Sequence, residues 1–265
     1  LLIFASAAAD AAQSTPPLPN APATEGSAAA ARTSGTASAY ADTQTEAYAK
    51  AKASAGPDFA VVPAWEAVLP VLDKRIPVMI HAEETRQIES AVAWAKRRKF
   101  KIVLAAARDS WQVADLLAKE KVAVIFDNVF TLPQRDTDPH DIHFRAAGIL
   151  HKAGVKVAHS EAMGSWGASR VRNIVYAAAK SIAHGLPREA ALRSLTLHPA
   201  QMLGVADRLG SLTAKKEATF IAVDGDIFDI RANVKYMWIA GNNISLQSRH
   251  TRLYEKYKNR PNPIK

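Results

Sequence analysis

The feature that most constrains this chain is a fourfold alternation between short apolar runs and segments with helical periodicity. The runs occupy residues 77–82, 101–106, 122–127 and 155–159. Because each run is apolar throughout instead of alternating, it predicts a strand buried on both faces, as in a parallel sheet covered by helices. Right-handed crossovers then leave an α/β fold, either a doubly wound sheet or part of a (β/α) barrel.

The flanking segments differ from this central region in composition. Residues 1–60 form an N-terminal segment rich in Ala, Ser and Pro with a marginal helix near 37–55, and residues 61–205 hold the parallel β/α units. Residues 206–265 contain short strands separated by turn residues, then a helical tail. We therefore predict three regions, with a small antiparallel portion at the C-terminal end.

The first residues permit two interpretations. An apolar stretch followed by small residues is typical of the end of a signal peptide, which would place the protein in the periplasm or outside the cell. A barrel strand cut at its start would look the same and would leave a cytoplasmic location open. No apolar run approaches the roughly 20 residues that cross a bilayer, so we predict no membrane span.

Charge and cysteine content exclude several classes of function. The net charge is +9, but the basic residues are scattered along the chain, so we do not predict nucleic-acid binding. Cysteine is absent, which excludes disulfides, thiolate nucleophiles and cysteine-ligated metals. Histidine, aspartate and glutamate remain as the strong metal ligands.

Polar residues close three of the four predicted strands. They are His81, Asp127 and Glu161, the last of which follows His159 and Ser160. Because ligands bind outside the carboxyl ends of parallel strands, these side chains together predict a site that binds a metal or activates water. The alternative for each one alone is an ordinary polar strand end.

The long loop after the third strand contains a second, weaker candidate. His140 and His143 lie there near three aspartates, a composition that permits metal binding but first indicates a solvated, turn-rich loop. No glycine-rich phosphate-binding motif occurs, so nucleotide binding has no support.

The C-terminal third carries an ordered set of motifs. LTLHPAQMLG (residues 195–204) followed by DRLGS (residues 207–211) closely resembles the T-x-N-P-A-x-x-L-G … G-S-L run of the amidohydrolase superfamily, in its imidazolonepropionase-like branch. The resemblance extends over roughly residues 63–260. It implies that the four units are the C-terminal half of a TIM-like (β/α)8 metal-dependent hydrolase barrel, with part of a small β-sandwich after residue 205.

The resemblance also implies a chemistry and a set of site residues. Family members hydrolyse amide or other C–N bonds with one or two divalent metals, most often zinc. His81 matches the fifth-strand metal ligand, and Glu161 is the residue able to substitute for the eighth-strand aspartate, as both ligand and catalytic group. The loops at the barrel mouth offer His143, Trp166 and Arg170 as substrate-binding residues.

Two departures from the family pattern leave the function open. Ala106 stands where active relatives have the sixth-strand histidine, and no H-x-H motif occurs. One hypothesis is a hydrolase of non-peptide or peptide amides whose metal site is degenerate. The other is a non-catalytic protein that binds a small ligand or a partner subunit on the same scaffold. Half a barrel exposes strand edges, which predicts either a homo-oligomer or pairing with an N-terminal half.

Overall fold

The computed structural model describes residues 4–5, 36–56, 59–127, 129–161 and 164–261. Two sheets organise them: a five-stranded parallel sheet and a separate three-stranded antiparallel sheet. The strands of the larger sheet follow one another in chain order, as neighbouring strands of a barrel do. They are β1 (Phe4–Ala5), β2 (Val78–Ala82), β3 (Ile102–Ala106), β4 (Ala123–Phe126) and β5 (Val157–His159).

The larger sheet confirms the predicted α/β class and the four predicted strands, and it adds a fifth. Phe4 of β1 pairs with Met79 of β2 in parallel register. Residues 4–5 are therefore in a strand, as the second interpretation of the N-terminal residues predicts. Residues 1–3 and 6–35 lie outside the described part of the chain. The parallel sheet with helices is consistent with part of a barrel.

Ten α-helices accompany the sheets in the described residues. The predicted marginal helix is present as α1, and two single turns of 3₁₀ helix precede α4 and α7. The helices are α1 (Thr36–Ser54), α2 (Pro63–Leu72), α3 (Thr85–Arg98), α4 (Ala114–Lys119), α5 (Ile142–Lys152), α6 (Gly164–Arg170), α7 (Ile174–Ala183), α8 (Arg188–Leu195), α9 (Leu197–Met202) and α10 (Arg249–Tyr257).

Side chains alternate between two cores along each strand of the larger sheet. Leu104, Val124 and Phe126 point to the helix layer and are fully buried there. Val103 and Ala158 point to the opposite face, where Met202 of α9 packs on both of them. Burial on both faces explains why these strands read as continuous apolar runs in the sequence.

The antiparallel sheet contains β6 (Phe220–Val223), β7 (Val234–Ile239) and β8 (Asn242–Asn243). Phe220 and Trp238 face each other across β6 and β7, with ring centroids 4.7 Å apart. This sheet confirms the short C-terminal strands, whereas the limits of the three predicted regions stay a prediction. In the described part of the chain, every helix is too short or too polar to cross a bilayer.

His159 at the end of β5 points into the helix layer. Its Nδ1 and Nε2 lie 2.7 Å from Ser194 Oγ and 3.1 Å from Ser181 Oγ. Burial lowers the pKa of His159 to about 4, because the imidazolium would lose its hydration there. His159 is therefore a neutral core residue that links β5 to α7 and α8.

The depressed pKa of His159 predicts acid-sensitive stability. Between the ordinary histidine pKa and about 4, the unfolded chain binds a proton at this residue that the folded chain does not bind. We expect the free energy of unfolding to fall by about 3 kcal/mol as the pH decreases through this window. His159→Gln should flatten this slope, whereas His250→Gln on α10 should leave it unchanged. Equal slopes in all three proteins, measured by urea denaturation, would contradict the assignment.

Two glycines of the C-terminal motifs differ in what surrounds them and so make a matched pair. Both have positive φ, but a Cβ at Gly210 would lie 2.7 Å from Ala200 Cβ and 2.9 Å from Thr196 O, while Gly204 has open space. We expect Gly204→Ala to cost about 1 kcal/mol of stability for the left-handed backbone alone. Gly210→Ala should cost about 3 kcal/mol, because α9 must also shift. The denaturation midpoints of the two variants measure the two losses of stability. Equal losses would contradict the close contact between Gly210 and α9.

Candidate active site

His81 lies near the carboxyl end of β2 on the face opposite the helix layer. Its register partner on β3 is Ala105, and its side chain is 36% exposed. Strands β4 and β5, which neighbour each other, end at the same edge of the sheet as β2. Asp127 directly follows β4, and Glu161 lies two residues after β5. This edge, with the residues that follow each strand, is called the mouth below.

Glu83 connects His81 to a guanidinium at the mouth. His81 Nε2 lies 3.8 Å from Glu83 Oε1, and Arg108 Nη1 donates to Glu83 Oε2 at 2.8 Å. The side chain of Arg108 is only 11% exposed. The backbone N–H of Asp109 donates to the carbonyl of Glu83 at 2.8 Å, which holds the segment after β3 against the segment after β2. A permanent positive charge is thus built into the mouth.

Asp127 is electrostatically coupled to the other charged groups of the mouth. Burial raises the pKa of its carboxyl group, the positive charge of His81 opposes this effect, and the negative charges of Glu83 and Glu161 add to it. The carboxyl group therefore keeps its proton to a higher pH than an exposed aspartate does. A carboxyl group with a raised pKa at the same sheet edge as an imidazole supplies two groups that can transfer protons.

Glu161 and Arg170, both predicted site residues, form an ion pair. Arg170 Nε and Nη2 each lie 3.2 Å from Glu161 Oε2, and the side chain of Glu161 is 4% exposed. The structure thus brings these two predictions together, with the arginine bound to the carboxylate. The side chain of Trp166 lies outside the described part of the structure, so its substrate-binding role stays a prediction.

His143 is buried on α5, with 3% of its surface exposed. Its Nδ1 lies 2.8 Å from Thr131 Oγ1 and 3.0 Å from Thr131 O, so the imidazole holds the loop after β4. The same loop is tied to the end of β3 by an ion pair between Arg135 and Asp109. The buried His143 thus holds the loop in position through Thr131. Its predicted contact with a substrate stays a prediction.

Two of the three aspartates of the same loop have arginine partners. Asp138 Oδ2 lies 3.3 Å from Arg135 Nη1, and Asp141 Oδ1 lies 3.6 Å from Arg145 Nη1. The weaker metal candidate of the sequence, around His140, is therefore a loop crossed by ion pairs. Its first interpretation, a solvated loop, describes it better.

The residue beside His81 on β3 is an alanine. The register places Ala105 there, one residue before the position expected from the family pattern, and pairs Ala106 with Ala82. Ala106 and Ala107 both have left-handed backbones, with φ of 66° and 42°. The chain turns sharply after β3, and this turn carries Arg108 over Glu83.

The described residues do not fit a divalent metal on their own. Among them, no three His, Asp or Glu side chains converge as a metal site would require. Glu83 and Glu161 are already bound by guanidinium groups, and β3 offers only a methyl group beside His81. This pairing of carboxylates with arginines was missed by the sequence analysis, which considered only the residues that close the strands.

Comparison with known proteins gives a family and several similar structures. Residues 28–246 match the sequence model of the Amidohydrolase family. Over 70 residues the chain is 39% identical to amidohydrolase tasK of Hapsidospora irregularis, an alignment that covers 26% of this chain and 7% of that protein.

The similar solved structures share the fold. An amidohydrolase from Thermotoga maritima MSB8 superposes with a TM-score of 0.69 at 24% identity, covering 80% of this chain and 56% of that one. A prolidase complexed with N-methylphosphonate-L-proline gives 0.51 at 20% identity, covering 68% of this chain and 48% of that one. An adenosine deaminase from Xanthomonas campestris with bound zinc gives a TM-score of 0.51 at 20% identity, covering 75% of this chain and 54% of that one.

The chain spans about half the length of these solved structures. The match to the family model covers most of this chain. It includes strands β2 to β5 of the parallel sheet and all three strands of the antiparallel sheet. It includes His81, Asp127 and Glu161 at the mouth. On this match, the chain belongs to the amidohydrolase family.

Proposed function

We propose that this chain takes part in the hydrolysis of C–N bonds in small amide-type molecules, either non-peptide or peptide amides, and that the mouth is the reacting site. Membership of the amidohydrolase family supports a hydrolase. The observation that carries the proposal is the placement of His81 and the half-buried Asp127 at the same edge of the parallel sheet, where burial raises the pKa of the Asp127 carboxyl group.

The proton transfers follow from these two groups. His81 accepts a proton from a water molecule whose oxygen bonds to the amide carbonyl carbon. Asp127, whose pKa burial raises, donates a proton from its acid form to the leaving nitrogen as the C–N bond breaks. The guanidinium of Arg108 holds Glu83 in place between the segments that follow β2 and β3.

Metal dependence is a property of the family in general, and the Xanthomonas campestris structure holds zinc. Zinc at the mouth of this protein would require ligands in addition to the described residues. The proposal therefore assigns proton transfer to this chain and derives no step through a metal.

In the described residues, the outermost strands of the parallel sheet are β1 on one side and β5 on the other. A free strand edge presents unpaired N–H and C=O groups, which favour pairing with another strand. We propose that a second copy of this chain, or an N-terminal half that the matched structures contain, pairs with these edges and completes the mouth.

Substitution at the mouth tests the proton-transfer roles. We expect His81→Asn and Asp127→Asn each to lower kcat/KM for amide hydrolysis by roughly 100-fold or more, because each removes one proton-transfer group. Release of free amine from a panel of N-acyl amino acids and dipeptides measures it. His250→Asn, an exposed histidine on α10, is the matched control and should keep full activity. Wild-type activity in either mouth variant would contradict the assignment.

A second candidate function is the binding of a small ligand without catalysis. It is favoured by one observation: Glu83 and Glu161, two carboxylates of the mouth, are each bound to an arginine. Carboxylates held in this way position a ligand but are poor metal ligands.

Metal analysis separates the two functions. From the pairing of Glu83 and Glu161, we expect the purified chain to retain less than one equivalent of zinc after dialysis. Amide hydrolysis that survives dialysis against a chelator would support the proton-transfer mechanism. Ligand binding without turnover would support the second candidate. One tightly held equivalent that is lost in His81→Ala would contradict our assignment and show a metal centre.

A further inference from the structure

An open surface pocket of about 310 Å³, called the cavity below, lies at the end of the sheet opposite the mouth, and its Lys156 and Arg193 are exposed to solvent. Lys156 directly precedes β5, so it marks the amino end of that strand, whereas His81 lies near the carboxyl end of β2. The walls come from the end of α5, the start of β5, α8 and α9. The polar lining residues are His151, Lys156, Glu189, Arg193 and His198.

Positively charged groups outnumber negative ones in this cavity. Glu189 is the carboxylate of the lining, and Arg193 Nη2 already donates to its Oε1 at 2.5 Å. Among the described residues, neither Lys156 nor His151 has an ion-pair or hydrogen-bond partner for its side chain. The cavity therefore holds at least one uncompensated positive charge, with further proton-binding capacity on its histidines.

His198 is held in a single tautomer by the backbone. Its Nδ1 lies 2.9 Å from the carbonyl oxygen of Val157, and because a carbonyl only accepts, Nδ1 carries the proton. The other nitrogen, Nε2, has no hydrogen-bond partner in the described part of the chain. Burial lowers the pKa of His198, and the positive charges of Lys156, Arg193 and His151 lower it further against the opposing effect of the backbone bond.

We propose that this cavity binds a small phosphate monoester through Lys156, Arg193 and His198. A phosphate dianion would compensate the excess positive charge and would accept hydrogen bonds from the lysine and the arginine. Its negative charge would also favour protonation of His198, so that Nε2 donates to it in the complex. The cavity has the size of a small-metabolite site, which leaves room for an organic portion of a few atoms beside the phosphate. This site is independent of the proposed hydrolysis, because it lies at the other end of the sheet.

Isothermal titration calorimetry of the full chain with glycerol 3-phosphate tests the proposal, with inorganic phosphate and malonate as the comparison ligands. We expect saturable binding at one site, tighter for glycerol 3-phosphate than for malonate. Lys156→Ala should weaken it at least about tenfold, since one charge-assisted hydrogen bond is worth more than about 1.4 kcal/mol. Lys119→Ala on α4 removes the same charge from an exposed position elsewhere and should leave the affinity unchanged.

His198→Asn provides a second variant that is designed to fold. The amide of asparagine can still donate to Val157 O, but it cannot take up a proton toward the ligand. We expect this variant to melt like the parent and to bind glycerol 3-phosphate several-fold more weakly. The proposal is overturned if no saturable binding occurs, if Lys119→Ala weakens binding as much as Lys156→Ala, or if malonate binds as tightly as the phosphate ester.

Discussion

Parallel hydrogen bonding between β2, β3, β4 and β5 is the constraint on which the rest of this structure depends. It buries one face of each strand against the helix layer and packs Val103 and Ala158 of the other face in a cluster with Met202, so polar chemistry is placed at the strand ends. The same pairing brings His81, Asp127 and Glu161, which are distant in sequence, to one edge. The mouth is therefore a consequence of strand register.

Guanidinium groups give this mouth its particular character. Arg108 binds Glu83, and Arg170 binds Glu161, which the family resemblance predicts as a metal ligand. Their positive charges neutralise the carboxylates and hold them in place, and our proposal assigns proton transfer to His81 and the half-buried Asp127. Our proposed mechanism follows from this arrangement, because it uses these two groups in place of the two arginine-bound carboxylates.

Much of the fold was predictable from the sequence, and part of the site was not. Continuous apolar runs identified β2 to β5, because burial on both faces leaves a strong pattern. The same uniformity hides which way each side chain points, so the pattern did not show that His159 faces the helices or that Ala105 lies beside His81. The loop contact of His143 and the ion pair of Arg108 join residues far apart in sequence, and only the tertiary structure reveals such partners.

The pH dependence of kcat/KM for amide hydrolysis tests the central claim most directly. If protonated Asp127 donates to the leaving nitrogen, activity must fall as the pH rises through its raised pKa. Our account predicts an alkaline limb above the usual aspartate range in the parent protein, and a low, flat profile in Asp127→Asn over the same interval. A variant that retains the same alkaline limb would contradict the account.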